Sequence, residues 1–584
     1  MLLSAASHSD ISPLLMIEGS GTMIAFAAAF AWPGLGSSWF SRLESAFARL
    51  ARRQALAVAA VGLATLVLRL AMLPLCPIPL PFAPDDFSNL LASDTFAHGR
   101  LTNPTPALWT HFESIHITMQ PTYMSMYFPA QGLVMAAGKV LFGSPWFGIL
   151  VVSALMCAAI CWMLQAWLPP GWALLGGILA MLRLGLFSYW VNTYTGGGLI
   201  AGLGGALVLG SLPRLTRTAR IRYGMLMAAG IALLALTRPY EGVLLCLPVA
   251  AALGHWACFG KNRPGPAVLL RRAALPLALI VATLAWLGYY DYRAFGSPLT
   301  LPYTVNRATY AMAPYFIWQP PRPEPHYRHQ EMRRFYYESE LDAFLKARSV
   351  SAYALSVVFK VVVAILFFAG FALLPPLIMV RRMFLDRRIR FLVQCVLVFA
   401  VGMLIQIFMI PHYLAPFTAA FYAIGLQCMR HLRVWKPEGR PAGVALVRII
   451  VMFCLALAGL RVWAAPLGFK IPEWPPSSWA DMWYGPQLYG TERAQIETRL
   501  TQLPGKQLVI VRYSSTHNTL DEWVYNQANI DAAKVVWARE MDAANNQELL
   551  NYYRDRKAWL VQVDAKPATV TPYPAPELPT TAAH

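Results

Sequence analysis

PDDFSNLLASDTFAHGRLTNPTP, residues 84–106, continues through WTHFESIHITMQP (109–121) into YMSMYFPAQ (123–131). It is the first long polar stretch after a good hydrophobic span, and it opens on adjacent carboxylates, Asp85 and Asp86. An Asp ahead of an apolar-periodic run is an ordinary helix N-cap. Two carboxylates at a membrane edge also suit proton transfer. What flanks the stretch decides whether this edge exists.

The flanks are those of a polytopic membrane protein. The chain has 584 residues, of which 57% are hydrophobic and only 13% charged, too apolar for an ordinary soluble protein. A net charge of +19 would normally point to nucleic acid as a partner. Here the basic residues cluster in short loops between apolar runs, at Arg42 to Arg53, Arg214 to Arg222, Lys261 to Arg272, Arg381 to Arg390 and Arg430 to Arg448. That is the positive-inside pattern; it marks those loops as cytoplasmic, makes the lipid bilayer the partner and excludes nucleic acid. The eight cysteines all lie in or beside apolar spans, with neither a disulfide framework nor zinc-ligand spacing.

Apolar runs predict spans near 55–78, 146–168, 171–188, 196–212, 223–237, 240–258, 273–290, 352–380, 391–410, 414–429 and 444–465. This set of about eleven helices puts all the basic clusters on one side. Residues 1–54 read as a cytoplasmic or interfacial lead-in without a clean signal peptide, because the run from Met23 to Trp32 is short and follows Glu18. The expected architecture is an all-α transmembrane domain over 55–465, with outer loops at 80–130 and 291–350. An extracytoplasmic α/β domain follows over 466–566, with strands near 507–513, 534–540 and 558–564 and helices near 491–503 and 543–556, then a disordered tail over 567–584.

Ionisable residues within spans are costly, and each marks a functional hypothesis. Arg69, Arg183, Arg238 and Lys360 fall in the outer halves or at the outer ends of spans, and His412 lies just beyond one. Each alone can snorkel without a function. Together they suggest a pocket for a phosphate at headgroup depth, with Glu241, three residues after Arg238, orienting or neutralising that arginine.

The layout resembles the GT-C superfamily of polytopic glycosyltransferases, which includes the protein O-mannosyltransferases, the aminoarabinose transferases acting on lipid A and the RgtA/B/C/D-like bacterial relatives. The matching pieces are Asp85-Asp86, Tyr127-Phe128-Pro129, Thr237-Arg238-Pro239 with Glu241, and Pro411-His412-Tyr413, spread over roughly residues 55–430. Family members commonly carry Asp-Glu where this chain has Asp85-Asp86, so the second carboxylate departs from the pattern. The resemblance implies an enzyme of a bacterial inner membrane that moves a sugar from a polyprenyl-phosphate carrier to an extracytoplasmic acceptor. Asp85 is then the general base, with Asp86 its partner or a helix cap. Arg69, Arg183, Arg238, Lys360 and His412 are candidates for the phosphate clamp, and Tyr127 and Tyr413 for substrate contact. A single displacement with one base inverts the anomeric carbon.

No cofactor is required by this chemistry. A divalent metal remains an option at His111, Glu113 and His116, since imidazole and carboxylate suit zinc or manganese, although the spacing matches no standard motif. The aromatics of the second outer loop, Tyr303, Tyr310, Tyr315 and Trp318 among them, suit either sugar stacking or anchoring at the headgroup level. A transporter or flippase of lipid-linked or polyanionic cargo is the alternative function, and a non-catalytic scaffold a third.

Overall fold

The computed structural model describes residues 13–34, 36–464, 466–468 and 489–573. The first part of the expected C-terminal region and the tail from 574 lie outside the described residues.

The chain is largely helical and crosses the membrane many times. Among the described residues eight helices are long and apolar enough to span, and Pro170–Gly185, Ile221–Ala235 and Arg390–Leu404 are shorter apolar helices. One long helix was not expected. Helix α1 (Pro13–Ala31) forms an apolar run of 18 residues, Leu14–Ala31, where the sequence reading placed an interfacial lead-in. Glu18 had been taken as its boundary. Instead the carboxylate is fully buried and faces Arg183 at 3.2 Å and Arg461 at 3.7 Å, so a paired charge sits inside the helix rather than ending it. Helix α2 (Ser37–Arg52) follows on the basic face, where Glu44 binds Arg433 at 2.8 Å and Arg448 at 2.9 Å. Helix α3 (Gln54–Ala71) then leads to the polar stretch.

One expected span is shorter than read and another is displaced along the chain. Helix Val350–Phe368 stops well before residue 380, and a helix expected from 414 starts only at Thr418, after the tight turn Pro411–Phe417. The prolines explain the second, since Pro411 and Pro416 each lack a backbone donor. This turn packs against helix Gly198–Thr218, and Gly205 makes the approach possible. A Cβ there would stand 1.8 Å from the Pro416 carbonyl oxygen.

Helix α4 (Pro84–Ala97) opens the first polar region. Three short antiparallel strands follow it, with Thr122–Ser125 between Asn103–Pro104 and Ile117–Thr118. In the C-terminal region Lys506–Arg512 lies between Val535–Arg539 and Arg556–Gln562, all parallel; helix Thr491–Gln502 leads into the first of these strands and helix Ala543–Tyr552 joins the second to the third. A fourth strand, Thr569–Pro572, pairs antiparallel with Arg556–Gln562, placing Val570 opposite Val561. Ordered structure therefore continues into the segment read as a tail from 567, because a sheet edge uses a Pro/Thr-rich strand that composition alone reports as disordered.

The C-terminal sheet is not packed as an isolated unit. Leu91, Phe112, Ile117 and Tyr123 share one apolar core with Leu508, Ile510, Val536 and Leu560. Phe87 stacks on Tyr525 at 4.7 Å between ring centroids, and the Arg493 guanidinium lies 4.9 Å from the Phe87 ring and 4.5 Å from Trp537. The second polar region joins from the side, with Ile115 buried among Tyr310, Met332, Phe335 and Tyr336.

Candidate active site

The adjacent carboxylates of α4 do different things because successive helical residues point about 100° apart. Pro84 occupies the first helical position, where its missing N–H costs nothing. Asp86, in the third position, turns back: its Oδ2 accepts from the backbone N–H groups of Phe82 and Ala83, both at 3.4 Å. Its Oδ1 accepts from the Tyr194 N–H at 3.0 Å and the Thr195 hydroxyl at 2.7 Å. Asp86 is thus both cap and strap. Burial pushes its carboxyl up to about 6, against the opposing hydrogen bond from Thr195.

Asp85 faces the strands. Its Oδ1 accepts from the Tyr127 hydroxyl and lies 2.5 Å from His116 Nδ1. Tyr127 and His116 are themselves 3.0 Å apart. Helix α4 holds His116 a second time, since Ser88 donates to its carbonyl at 2.6 Å. His116 reaches this position with φ of 65°, in the left-handed region. Burial works to raise the Asp85 carboxyl, but the charge and hydrogen bond of His116, with the Tyr127 hydroxyl, bring it down to about 2. Its side chain is still 24% exposed, and Oδ2 receives no hydrogen bond from the described residues.

A second group converges nearby from three other segments. Arg238 precedes helix Pro239–Phe259, donates to the Gly196 carbonyl at 2.9 Å and lies over the Tyr413 ring at 4.4 Å. It is buried, and the carboxylate whose charge acts on it is Glu241, three residues on. His412 accepts or donates through Nδ1 at 2.8 Å from the Tyr189 hydroxyl. Its ring rests on Gly196, whose φ of 88° and lack of a side chain admit it; a Cβ would stand 2.7 Å from Nδ1. Burial and the Arg238 charge push the His412 imidazole well below its ordinary value, so it is neutral.

Arg238, Glu241, Tyr413, Phe128, Tyr303 and Tyr315 line a cavity of about 220 Å³. Tyr303 joins the two groups. Its ring stacks on Phe128 at 5.9 Å, meets Tyr127 edge-on at 5.6 Å and approaches Tyr315 at 5.9 Å. Thus Arg238, Glu241 and Tyr413 line the cavity, and Asp85 with Tyr127 reaches it only through Tyr303, while His412 sits beside Tyr413 on Gly196. Tyr303 belongs with them; its only sequence signal is the aromatic density of the second loop.

Other candidates lie elsewhere. Arg69 donates to the carbonyls of Cys76 at 2.8 Å and Pro77 at 3.3 Å and to Asn192 at 3.0 Å, with its guanidinium 4.6 Å from the Trp146 ring. It anchors the chain leaving α3. Arg183 is held by Glu18 and by the carbonyls of Leu366 and Phe367. Lys360 donates to the Gln406 carbonyl at 2.7 Å, supporting the cavity wall from behind.

The metal triad His111, Glu113 and His116 does not assemble. His111 bonds the carbonyls of Arg539 and Asn545, Glu113 accepts from Tyr310 at 3.0 Å, and His116 is on Asp85. Among the described residues no three His, Cys, Asp or Glu side chains form a metal-holding group. His111 lies in the short helical turn Trp109–Phe112 and His116 takes left-handed backbone, so the chain between them turns and sends the side chains to different partners, which residue spacing alone does not reveal.

No family model matches the chain, and no curated protein matches it. With TM-scores below one half, the likenesses found among solved structures carry no weight for the chemistry, which rests on the geometry above. A likeness covers 87% of this chain and 67% of the Archaeoglobus fulgidus oligosaccharyltransferase bound to zinc and sulfate, at 12% identity and a TM-score of 0.40. Another covers 86% of this chain and 69% of the AglB oligosaccharyltransferase of the same organism in complex with an inhibitory peptide and a dolichol-phosphate, at 11% identity and a TM-score of 0.37. The structure is also similar to ArnT from Cupriavidus metallidurans in the apo state, over 86% of this chain and 92% of that one, at 12% identity and a TM-score of 0.47.

Proposed function

We propose that this protein is a membrane glycosyltransferase that moves a sugar from a polyprenyl-phosphate carrier to an acceptor on the face opposite the basic loops. The observation that supports the reading is that Tyr303, which meets Tyr127 beside Asp85, also lines the cavity of the buried Arg238, so the carboxylate held by His116 and Tyr127 and this guanidinium stand either side of one aromatic ring. The positive-inside pattern makes that face extracytoplasmic, which in a bacterial inner membrane is the periplasmic side. The motif order Asp85-Asp86, Tyr127-Phe128-Pro129, Thr237-Arg238-Pro239 and Pro411-His412-Tyr413, similar to that of GT-C enzymes, supports it.

In the reaction the acceptor oxygen attacks the anomeric carbon while the bond from that carbon to the phosphate oxygen breaks, leaving its electron pair on the phosphate. Arg238 binds the phosphate and stabilises the charge that grows there, with the neutral His412 and Tyr413 supporting its position. The acceptor proton passes to Asp85 Oδ2, the oxygen not engaged by His116 and Tyr127. A carboxylate held near 2 takes a proton late, after the acceptor oxygen has become positive through bonding. One base and one displacement give inversion at the anomeric carbon. The aromatic walls suit a sugar ring.

The test is transfer of label from radiolabelled polyprenyl-phosphate sugars to a cell-envelope extract by the purified protein and by Asp85→Asn. Wild type is expected to label the extract and the variant to fail. Equal labelling by both sinks the assignment, and tolerance of the substitution in lipid translocation instead favours a flippase.

A further inference from the structure

The C-terminal sheet reaches the Asp85–His116 pair through one residue. Glu522 is 3% exposed. Its backbone N–H donates to the Phe82 carbonyl at 2.9 Å, three residues before Asp85. Its side-chain Oε2 accepts from the Ser114 hydroxyl at 3.0 Å, two residues before His116. The other oxygen accepts from the Tyr513 hydroxyl at 2.7 Å and from the backbone N–H groups of Trp523 and Val524 at 3.0 and 2.9 Å. The carboxylate is therefore fully committed, and a charge at its back holds it there. Arg539 Nη2 lies 2.5 Å from Oε2, and Arg539 Nε donates to the Glu113 carbonyl at 2.6 Å. The Arg539 carbonyl meets His111 Nδ1 at 3.1 Å.

Residues 111, 113 and 114 are thus clasped from the C-terminal region, immediately before the left-handed turn that aims His116. From these contacts we infer that Glu522, backed by Arg539, is a positioning residue for the proposed base, its side chain holding Ser114, and through it His116, against Asp85 while its backbone N–H secures Phe82. The inference rests on the transferase reading for its consequence in turnover, and on geometry alone for the clasp. Fully buried charges of opposite sign with satisfied oxygens resist displacement, whereas removing Glu522 leaves Arg539 with the more distant Glu331, at 3.6 Å, and drives local rearrangement. The rearrangement is felt at Asp85, which is faced by His116 and Tyr127 from its own region, by Asp86 beside it, by Tyr303 from the second polar region, and by His412 and Tyr413 from the turn between spans.

The experiment uses the full-length protein in detergent. The rate of His116 modification by diethyl pyrocarbonate is followed by mass spectrometry in wild type, Glu522→Ala, Glu522→Gln and Arg512→Ala. Arg512 pairs with Glu540 beside the clasp, its side chain bonding neither Glu522 nor Ser114, and serves as the control for loss of a neighbouring ion pair. In wild type the His116 side chain is 14% exposed. A severalfold faster reaction is expected in Glu522→Ala, a smaller rise in Glu522→Gln, which keeps one acceptor oxygen, and none in Arg512→Ala. Unchanged His116 reactivity in a folded Glu522→Gln or Glu522→Ala protein overturns the inference.

With labelled polyprenyl-phosphate sugar, Glu522→Ala is expected to lower kcat more than it changes KM and to move the acid limb of kcat upward. Combined with His116→Ala it is expected to cost nothing further; additive losses overturn positioning through His116. If wild type transfers no sugar, the transferase reading falls, and the modification rates still decide the clasp.

Discussion

The Thr195 hydroxyl donates to Asp86 at 2.7 Å, so the first turn of α4 is tied to the residue that precedes Gly196, the platform of the His412 ring. The second carboxylate of the pair connects the two halves of the site without facing the cavity. Asp86→Ala is expected to lose the cap and the strap together, destabilising the protein by roughly 1 to 3 kcal/mol, with Asp86→Asn milder because the amide oxygen still accepts. Apparent melting temperature in detergent reads the difference.

The same carboxyl makes stability depend on pH. Its folded value, about 6, lies above the ordinary 3.8, so the folded state binds the proton more tightly than the unfolded chain. That contribution is present below 3.8, declines as pH rises through 6 and amounts to on the order of 3 kcal/mol. Asp86→Asn is expected to flatten the melting temperature between pH 4 and 6, roughly the window set by those two values. A slope unchanged in the variant assigns it to another group.

Asp85 behaves in the opposite sense. Held at about 2, it is ionised throughout the working range, and the stability its partners provide is lost only as pH falls below 3.8 toward 2. Asp85→Asn is expected to reduce transfer about 10²-fold or more. His116→Ala removes the main partner that lowers this carboxyl, so the acid limb of kcat/KM is expected to move upward toward 4.

Arg238 offers a planar fork fixed by the Gly196 carbonyl and the Tyr413 ring. Arg238→Lys keeps the charge but loses that geometry and is expected to cost about tenfold in kcat/KM, with Arg238→Ala costing about 10²- to 10³-fold. Titration of the labelled donor distinguishes them, and equal activity of the alanine variant removes Arg238 from the phosphate site.

Glu18 lies in a different place, between Arg183 and Arg461. Glu18→Ala strands buried positive charge and is expected to destabilise the protein by about 3 to 5 kcal/mol. Turnover per folded molecule should hold, since none of the three lines the Arg238 cavity or bonds Asp85. Melting temperature and active-fraction-corrected rates measure the two separately.

Much of the architecture was legible because membrane topology is encoded locally. Apolar runs and basic loops report it residue by residue, and the Asp-Asp and Arg-Pro pieces announced themselves by their position at span edges. What escaped was long-range pairing. His116 looked like a third of a metal site because its partner is 31 positions away; Glu18 looked like the end of a hydrophobic run because Arg183 is 165 positions away. Tyr303 carried no motif, and only its place between Phe128 and Tyr127 distinguishes it from its aromatic neighbours.

The shared core of the first polar region and the C-terminal sheet sets an order of assembly. His111 and Arg539, which meet across it, are 428 positions apart. During synthesis the segment bearing Asp85 and His116 crosses to its side of the membrane early and waits, apolar faces uncovered, until nearly all the spans have been made. The pocket proposed here for sugar transfer is therefore completed last, and a chain cut short before the final sheet is expected to yield a membrane protein in which Asp85 and His116 lack their C-terminal support.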